Sequence, residues 1–159
     1  MTRVLHFAYG SNMDQEQMKE RCPQGEMDGI ALLPNHELAF TRYSINRKCG
    51  VADVIPTPDS EVWGVLYLLT KDDLESLDHA EGADRITPPN AYDLVTRTVF
   101  RDGDRGQAVS AEVYIVPEES RKFHAPNQHY KQLMVNAARV ACFPEGYLEK
   151  LSAIKVIAQ

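Results

Sequence analysis

The sequence predicts an α+β protein with a mainly antiparallel, barrel-like mixed sheet and flanking helices. Apolar, β-branched segments come in pairs joined by short turns, which is typical of antiparallel strands. Helical segments lie between these pairs and do not follow every strand, so the strand–helix alternation of a doubly wound fold is missing. The length of 159 residues suits one domain that spans the whole chain, 1–159.

Turn residues and helix caps divide the chain into its elements. Strands are predicted at 3–9, 28–33, 36–42, 50–55, 61–69, 92–101 and 107–116. Pro34-Asn35 is the predicted turn between the second and third of them. Helices are predicted at 13–21, 71–81, 127–142 and 145–154. Asn12 is expected to cap the first helix and Thr70 the second, which Gly82 ends. Pro88-Pro89 makes 83–91 a loop.

Composition excludes several classes of protein. The net charge of −6 argues against a nucleic-acid binder, which needs a basic surface. No stretch approaches the roughly 20 apolar residues of a membrane helix, and the apolar run at the start is too short for a signal peptide. Three cysteines without CxxC spacing indicate reduced thiols. We therefore expect a soluble, cytoplasmic protein, and nothing in the sequence indicates an oligomer.

The segment Tyr9–Gly10–Ser11–Asn12 is the first candidate site. It joins the end of a strand to the start of a helix, and Gly10 allows a sharp turn and close approach by a ligand. The amides that follow lie at a helix N-terminus, where partial positive charge favours a carboxylate or a developing oxyanion. The same residues could also form an ordinary capped turn.

Glu81 is the second candidate. On the helix 71–81 it shares one face with Leu74, Leu77 and Asp78, at positions i, i+3, i+4 and i+7. Burial, the negative end of the helix dipole and the nearby Asp78 all disfavour its ionisation, so its pKa should be raised. Such a carboxylate suits proton transfer near neutral pH, although a partly exposed residue at a frayed helix end would show the same pattern.

Four motifs in order resemble the γ-glutamylcyclotransferase family, which includes the AIG2-like proteins. FAYGSNM resembles the family's opening signature, and EVWGVLYLL followed by LESLDHAEG resembles its tryptophan strand and its LD-x-x-EG motif. Tyr92 and the strand to Phe100 match the tyrosine and strand that follow. HAPNQHYKQLMVNAARVACFPEGYLEKLSAI resembles the closing pattern, so that the resemblance extends from about residue 5 to 154.

The resemblance implies cyclisation of a γ-glutamyl amino acid or amine to 5-oxoproline, with release of the free amine. It assigns the role of proton acceptor to Glu81 and requires no metal or cofactor. It also implies that the substrate is bound by a set of residues spread over the chain: His6, Phe7, Ala8, Tyr9, Gly10, Ser11, Asn12, Gly50, Tyr92 and Tyr130. The implied partner is a small γ-glutamyl molecule, with neither nucleic acid nor membrane. A non-catalytic binding module and an enzyme that removes γ-glutamyl from a larger carrier are the alternatives.

Two departures from the family pattern bear on the substrate. Cys49-Gly50 stands where the family often has two glycines, and the loop 82–91 beside Glu81 is longer than in compact members. Arg42, Arg47 and Lys48 form a basic stretch that is most simply solvated surface, although one of its side chains could meet a substrate carboxylate. Cys49 as a nucleophile has no supporting motif.

Overall fold

A five-stranded closed barrel forms the centre of the computed structural model, which describes residues 2–83 and 90–158. Its strands are β1 (Arg3–Ala8), β2 (Glu26–Ser44), β3 (Cys49–Thr70), β4 (Asp93–Arg101) and β5 (Ala108–Ile115). They lie in the order β1-β3-β2-β4-β5, and β5 closes the barrel against β1. All pairs are antiparallel except β1 with β5, which is parallel. The predicted α+β class with a barrel-like mixed sheet is confirmed.

The helices lie between and after the strands. They are α1 (Gln15–Arg21), α2 (Lys71–Glu81), α3 (Gln128–Val140) and α4 (Glu145–Ser152), with short 3₁₀ turns at Ser11–Met13 and Glu118–Ser120. Within the described part of the chain, no helix is both long and apolar enough to cross a membrane. All three cysteines are free.

The prediction of four separate strands between residues 28 and 69 was wrong, because β2 and β3 are two long, continuous strands. Pro34-Asn35 is not a turn. Asn35 adopts φ 57° at a shift in register between Pro34 and His36, and β2 continues beyond it along β3. A bulge of this kind absorbs an extra residue and bends the strand without ending the pairing.

The first helix begins later than predicted. Gly10 is followed by the 3₁₀ turn, and α1 starts only at Gln15. Asp14 is the residue that caps α1, because its side chain accepts a hydrogen bond from the Gln17 amide at 3.2 Å. The prediction that Asn12 caps this helix was therefore wrong, which leaves the Asn12 side chain free for another role.

The helix α2 has the predicted bounds and caps. The Thr70 side chain accepts a hydrogen bond from the Asp73 amide at 3.1 Å, and Gly82 ends the helix with φ 67°. Leu77 is fully buried, which fixes the side of α2 that faces the barrel. The predicted loop at 83–91 falls largely on residues 84–89, which lie outside the described part of the chain.

Candidate active site

Residues from β1, β3, β5, α2 and α3 meet around a cavity of about 40 Å³. Its walls are formed by His6, Phe7, Ala8, Tyr9, Gly10, Ser11, Asn12, Ala52, Glu81, Tyr92, Tyr114 and Tyr130. The structure thus brings together every site residue named from the sequence except Gly50, and it adds Ala52 and Tyr114. Residues more than 100 positions apart in the chain share this one space.

The turn after β1 is packed tightly against the far wall of the cavity. A Cβ on Gly10 would lie 3.0 Å from the Tyr130 hydroxyl oxygen and 3.1 Å from Cβ of Ala52. Only glycine lets the backbone approach the tyrosine this closely without displacing it. The Gly10 carbonyl accepts a hydrogen bond from the Met13 amide at 3.0 Å, which holds the turn in its 3₁₀ form.

One oxygen of Glu81 is held and the other is not. Its Oε1 accepts hydrogen bonds from Asn12 Nδ2 at 2.7 Å and from Arg21 Nη1 at 3.2 Å. Among the described residues, Oε2 has no such donor. Only 16% of the Glu81 side chain is exposed. The carboxylate is therefore fixed in orientation and keeps one oxygen available to a ligand.

Burial raises the pKa of Glu81 above its ordinary value, in the predicted direction. The charges that act on it are guanidinium groups, of which Arg21 is the strongest, and they oppose the rise together with the hydrogen bond from Asn12. Asp78, which was expected to raise the pKa of Glu81 further, is not among the causes of the shift. Its carboxylate accepts a hydrogen bond from the Tyr114 hydroxyl at 2.6 Å.

A small network links the turn to α1. Gln17 Nε2 donates to Ser11 Oγ and to Asn12 Oδ1, both at 2.9 Å. Arg21 Nη1 donates to the same Asn12 oxygen at 2.8 Å. The Asn12 oxygen is thus fully occupied by donors, so its amide nitrogen must point to Glu81.

Four tyrosines line the cavity, and three of them use their hydroxyl proton inside the protein. Tyr9 donates to the Tyr114 carbonyl, Tyr114 to Asp78, and Tyr92 to the Ala52 carbonyl at 2.8 Å. The Tyr130 hydroxyl instead accepts the Ala52 amide at 3.1 Å. Burial raises the pKa of Tyr130 to about 12, so the hydroxyl keeps its proton at neutral pH and can donate it to a ligand.

His6 is buried and neutral. Its Nδ1 lies 3.1 Å from the Glu112 carbonyl oxygen, which can only accept, so Nδ1 carries the proton. Burial lowers the pKa of His6 to about 4. Its Nε2 is buried without a hydrogen-bond partner among the described residues and therefore presents an unused lone pair beside the cavity.

A wider cavity of about 510 Å³ adjoins the first one. The two share Ser11, Glu81, Tyr92 and Tyr130 as walls. The wider cavity is bordered by three arginines: Arg21, Arg42 and Arg47. Arg42 lies over the Tyr92 ring at 5.5 Å, and Arg47 lies over the Tyr130 ring at 5.1 Å. The structure thus joins a narrow pocket to a larger, basic mouth, with Glu81 at the junction.

Gly50 lies outside both cavities and packs against backbone. Its amide donates to the Ala125 carbonyl at 2.9 Å, and a Cβ at this position would come within 1.6 Å of the His124 carbonyl oxygen. Cys49 is buried and lines neither cavity. Within residues 2–83 and 90–158, no group of three His, Cys, Asp or Glu side chains is arranged to hold a metal ion.

Sequence reasoning missed Arg21, Ala52, Gln17 and Tyr114 as parts of the site. Ala52 contributes its backbone and Gln17 acts through the turn, so neither residue type signals a role. Tyr114 follows the alternation of its strand and is most simply read as core from sequence alone. The basic stretch around Arg42 was noted, but its stacking on two cavity tyrosines depends on contacts that are distant in sequence.

Comparison with known proteins places these observations in a wider context. The family described as Gamma-glutamyl cyclotransferase, AIG2-like, matches residues 6–132. The chain is 29% identical to the gamma-glutamylcyclotransferase of Homo sapiens and 28% identical to that of Mus musculus, in each case over 95% of this chain and 78% of the relative. A solved gamma-glutamyl cyclotransferase structure superposes with a TM-score of 0.89 at 27% identity, covering 99% of this chain and 91% of that one.

Proposed function

Because the chain belongs to the gamma-glutamyl cyclotransferase, AIG2-like family and is an enzyme of that type, we propose that it cyclises a γ-glutamyl amino acid or amine to 5-oxoproline with Glu81 as general acid/base. The observation that carries the proposal is the state of Glu81. Its carboxylate is largely buried, is held through one oxygen by Asn12 and Arg21, and lines the cavity with the other oxygen unpaired among the described residues.

The first step forms the ring. The α-amine of the γ-glutamyl group is an ammonium at neutral pH and cannot attack a carbonyl. Glu81 takes one proton, and the free amine then attacks the γ-carbonyl carbon to form a new C–N bond. Burial raises the pKa of Glu81, which strengthens it as a base and suits it to this transfer near neutral pH.

The second step releases the amine. The proton that Glu81 accepted is passed to the nitrogen of the leaving amine. The original amide C–N bond breaks as the carbonyl re-forms, and the second proton of the attacking nitrogen leaves with the amine, which departs as an ammonium ion. The products are 5-oxoproline and the free amine, and Glu81 returns to its ionised state. Both reacting groups belong to one molecule. Binding the substrate in the conformation that brings them together therefore lowers the activation free energy by about 7–11 kcal/mol.

Hydrogen-bond donors for an anionic oxygen of the substrate surround the narrow cavity. The Tyr130 hydroxyl keeps its proton and has the Ala52 amide behind it, so it can donate into the cavity. The Ser11 amide also bonds to the Tyr130 hydroxyl and the Met13 amide to the Gly10 carbonyl, so these two amides hold the turn in place. Donors placed where charge develops stabilise the transition state strongly in a site shielded from water.

Product analysis tests the proposal. Purified protein is incubated with a panel of γ-glutamyl amino acids and γ-glutamyl amines, and 5-oxoproline, free glutamate and free amine are quantified together. We expect 5-oxoproline and amine in equal amounts without free glutamate. Free glutamate would indicate hydrolysis, and the absence of any product from folded protein would leave a binding role.

A further inference from the structure

Two arginines at the mouth of the site form no ion pair within the described part of the chain, although the charges of both act on Glu81 and lower its pKa. Arg42 and Arg47 border the wider cavity, and neither forms an ion pair with a carboxylate among the described residues. Arg21, the third arginine there, is already paired with Glu81. The net charge of the protein is −6, so two guanidinium groups that pair with no carboxylate among the described residues give this cavity a local positive charge.

Both guanidinium groups are held in place by the cavity wall. Arg42 stacks on Tyr92 and Arg47 on Tyr130, and the hydroxyls of these tyrosines bond to the carbonyl and the amide of the same residue, Ala52. Arg47 is fixed further by its hydrogen bond to Gln17 at 2.7 Å. A guanidinium group over an aromatic ring does not use all five of its N–H groups in that contact, so donors remain that suit a carboxylate.

The position of Glu81 decides which part of a substrate meets these arginines. This step rests on the proposed function, in which the reacting nitrogen atoms lie beside Glu81. The narrow cavity is much smaller than the wider one, about 40 Å³ against about 510 Å³, and Glu81 borders both. The leaving amine must therefore extend into the wider cavity, toward Arg42 and Arg47.

We propose that Arg42 and Arg47 bind carboxylates of the leaving group, and that the preferred substrates are γ-glutamyl amino acids whose released residue is itself acidic. A released dicarboxylic amino acid offers two carboxylates to two guanidinium groups. A simple γ-glutamyl amine offers no carboxylate to either arginine. The leaving-group side of the site thus selects by charge.

Binding to the Glu81→Gln protein tests this proposal separately from turnover. The substitution removes the charge of residue 81, so changes at the arginines cannot act through its pKa. Calorimetry at fixed ionic strength compares γ-glutamyl-glutamate with γ-glutamyl-glutamine, which match in shape and differ by one carboxylate. We expect γ-glutamyl-glutamate to bind about tenfold more tightly, as the loss of one charge-assisted hydrogen bond implies.

Arginine variants then show which side chains cause the preference for γ-glutamyl-glutamate. Adding Arg42→Gln or Arg47→Gln to Glu81→Gln should reduce the tenfold preference to about twofold. Arg139→Gln, an exposed position on α3 away from both cavities, should leave it unchanged. Equal binding of the two ligands, binding of neither, or a preference that survives both arginine substitutions would each overturn the inference. If wild type forms no 5-oxoproline from any substrate, the proposed function fails, and these binding data still decide the role of the arginines.

Discussion

At the scale of single residues, the carboxylate of Glu81 is under opposing influences. Burial favours its neutral form, while Arg21 and Asn12 favour its ionised form, and burial has the larger effect on its pKa. An ion pair with Arg21 alone would produce a weak base that stays ionised. Burial alone would leave a carboxylate with no fixed orientation. The combination gives a base that is both oriented and able to accept a proton.

The stability of the protein should report this balance as a function of pH. Because the pKa of Glu81 is raised above its ordinary 4.5 in the folded state, ionisation of Glu81 lowers the free energy of unfolding. That cost is absent below pH 4.5, grows as the pH rises to the folded-state pKa, and is complete above it. Glu81→Gln, which is always neutral, should therefore be more stable than wild type at neutral pH.

Urea denaturation of both proteins across a pH series measures this difference. The stability advantage of Glu81→Gln should shrink as the pH falls toward 4.5 and disappear below it. A wild type that is more stable than Glu81→Gln at pH 7 would show that the ion pair with Arg21 outweighs burial.

Tyr130→Phe tests the hydroxyl that keeps its proton for a ligand. We expect kcat/KM for 5-oxoproline formation to fall by about 10²-fold, as on removal of a donor to a developing oxyanion. The free energy of unfolding should fall by about 1–3 kcal/mol, because the buried Ala52 amide loses its acceptor. Tyr92→Phe is the matched comparison, since its hydroxyl donates to the carbonyl of the same residue. Equal losses of activity in the two variants would count against a special role for Tyr130.

The identity of the candidate residues was accessible from sequence, but their pairing was not. Glu81 and the turn could be named because each belongs to a short local pattern. Asn12 was taken for a helix cap, which is what its type and place suggest. Its bond to Glu81, 69 positions away, depends on how α1 and α2 pack beside the barrel.

At the scale of elements, α2 positions the base by ending immediately after it. Gly82 adopts φ 67°, and the Ala83 amide bonds to the Asp78 carbonyl at 2.8 Å, which terminates the helix in a left-handed turn. Glu81 therefore sits on the last helical position, with its side chain directed from a rigid helix and not from a loop.

Gly82→Ala should disturb this arrangement. A left-handed alanine costs about 1–2 kcal/mol, and its Cβ would lie 2.9 Å from that of Ala91. We expect lower thermal stability and reduced kcat as Glu81 is displaced. Gly146→Ala is the matched control, since a Cβ there meets nothing within 4 Å inside α4, and it should be neutral or stabilising by up to about 1 kcal/mol. A Gly82→Ala protein as stable and active as wild type would exclude a constraint at this helix end.

Local signals explain why α2 was predicted fully and the β2–β3 pair was not. The cap at Thr70, the spacing of Leu74 and Leu77 and the final glycine all lie within the helix or next to it. The continuity of β2 depends on its partner β3, because Pro34 interrupts a strand only where no bulge accommodates it. A sequence pattern shows the proline but not the strand that pairs across it.

At the scale of the whole molecule, Asp53 ties the barrel to the segment after β5. Its carboxylate has no exposed surface and accepts hydrogen bonds from the amides of Val54 and Val116, from Thr41 and from Arg121. The ion pair with Arg121 is 2.9 Å long. Asp53 directly follows Ala52, so this network also holds the wall to which Tyr92 and Tyr130 bond.

Asp53→Asn should destabilise the protein by about 3–5 kcal/mol, because it breaks a buried ion pair and turns an amide NH₂ toward donors. Glu61→Gln is the comparison. It breaks an exposed ion pair with Arg105 at 3.4 Å and should cost less than about 1 kcal/mol. Denaturant unfolding of the two variants measures both losses of stability. Similar losses would show that the hydrogen bonds and ion pair of Asp53 do not stabilise the fold more than an exposed ion pair does.

The barrel-like sheet was predictable from the paired strands, whereas the buried ion pair between Asp53 and Arg121 was not. A single aspartate within the apolar run of residues 50–55 was visible, but its partner Arg121 lies 68 positions further along the chain. The basic mouth of the site could not be predicted from the sequence for the same reason. Arg42 and Arg47 belong to a stretch that looks like solvated surface, and only the fold stacks them on Tyr92 and Tyr130.

The central claim is that Glu81 transfers the proton that drives cyclisation. Its most direct test is the initial rate of 5-oxoproline formation by Glu81→Gln against Glu75→Gln, an exposed glutamate on the same helix. We expect Glu81→Gln to lose about 10²–10⁴-fold in kcat and Glu75→Gln to match wild type. A folded Glu81→Gln protein that forms 5-oxoproline at the wild-type rate would contradict the account.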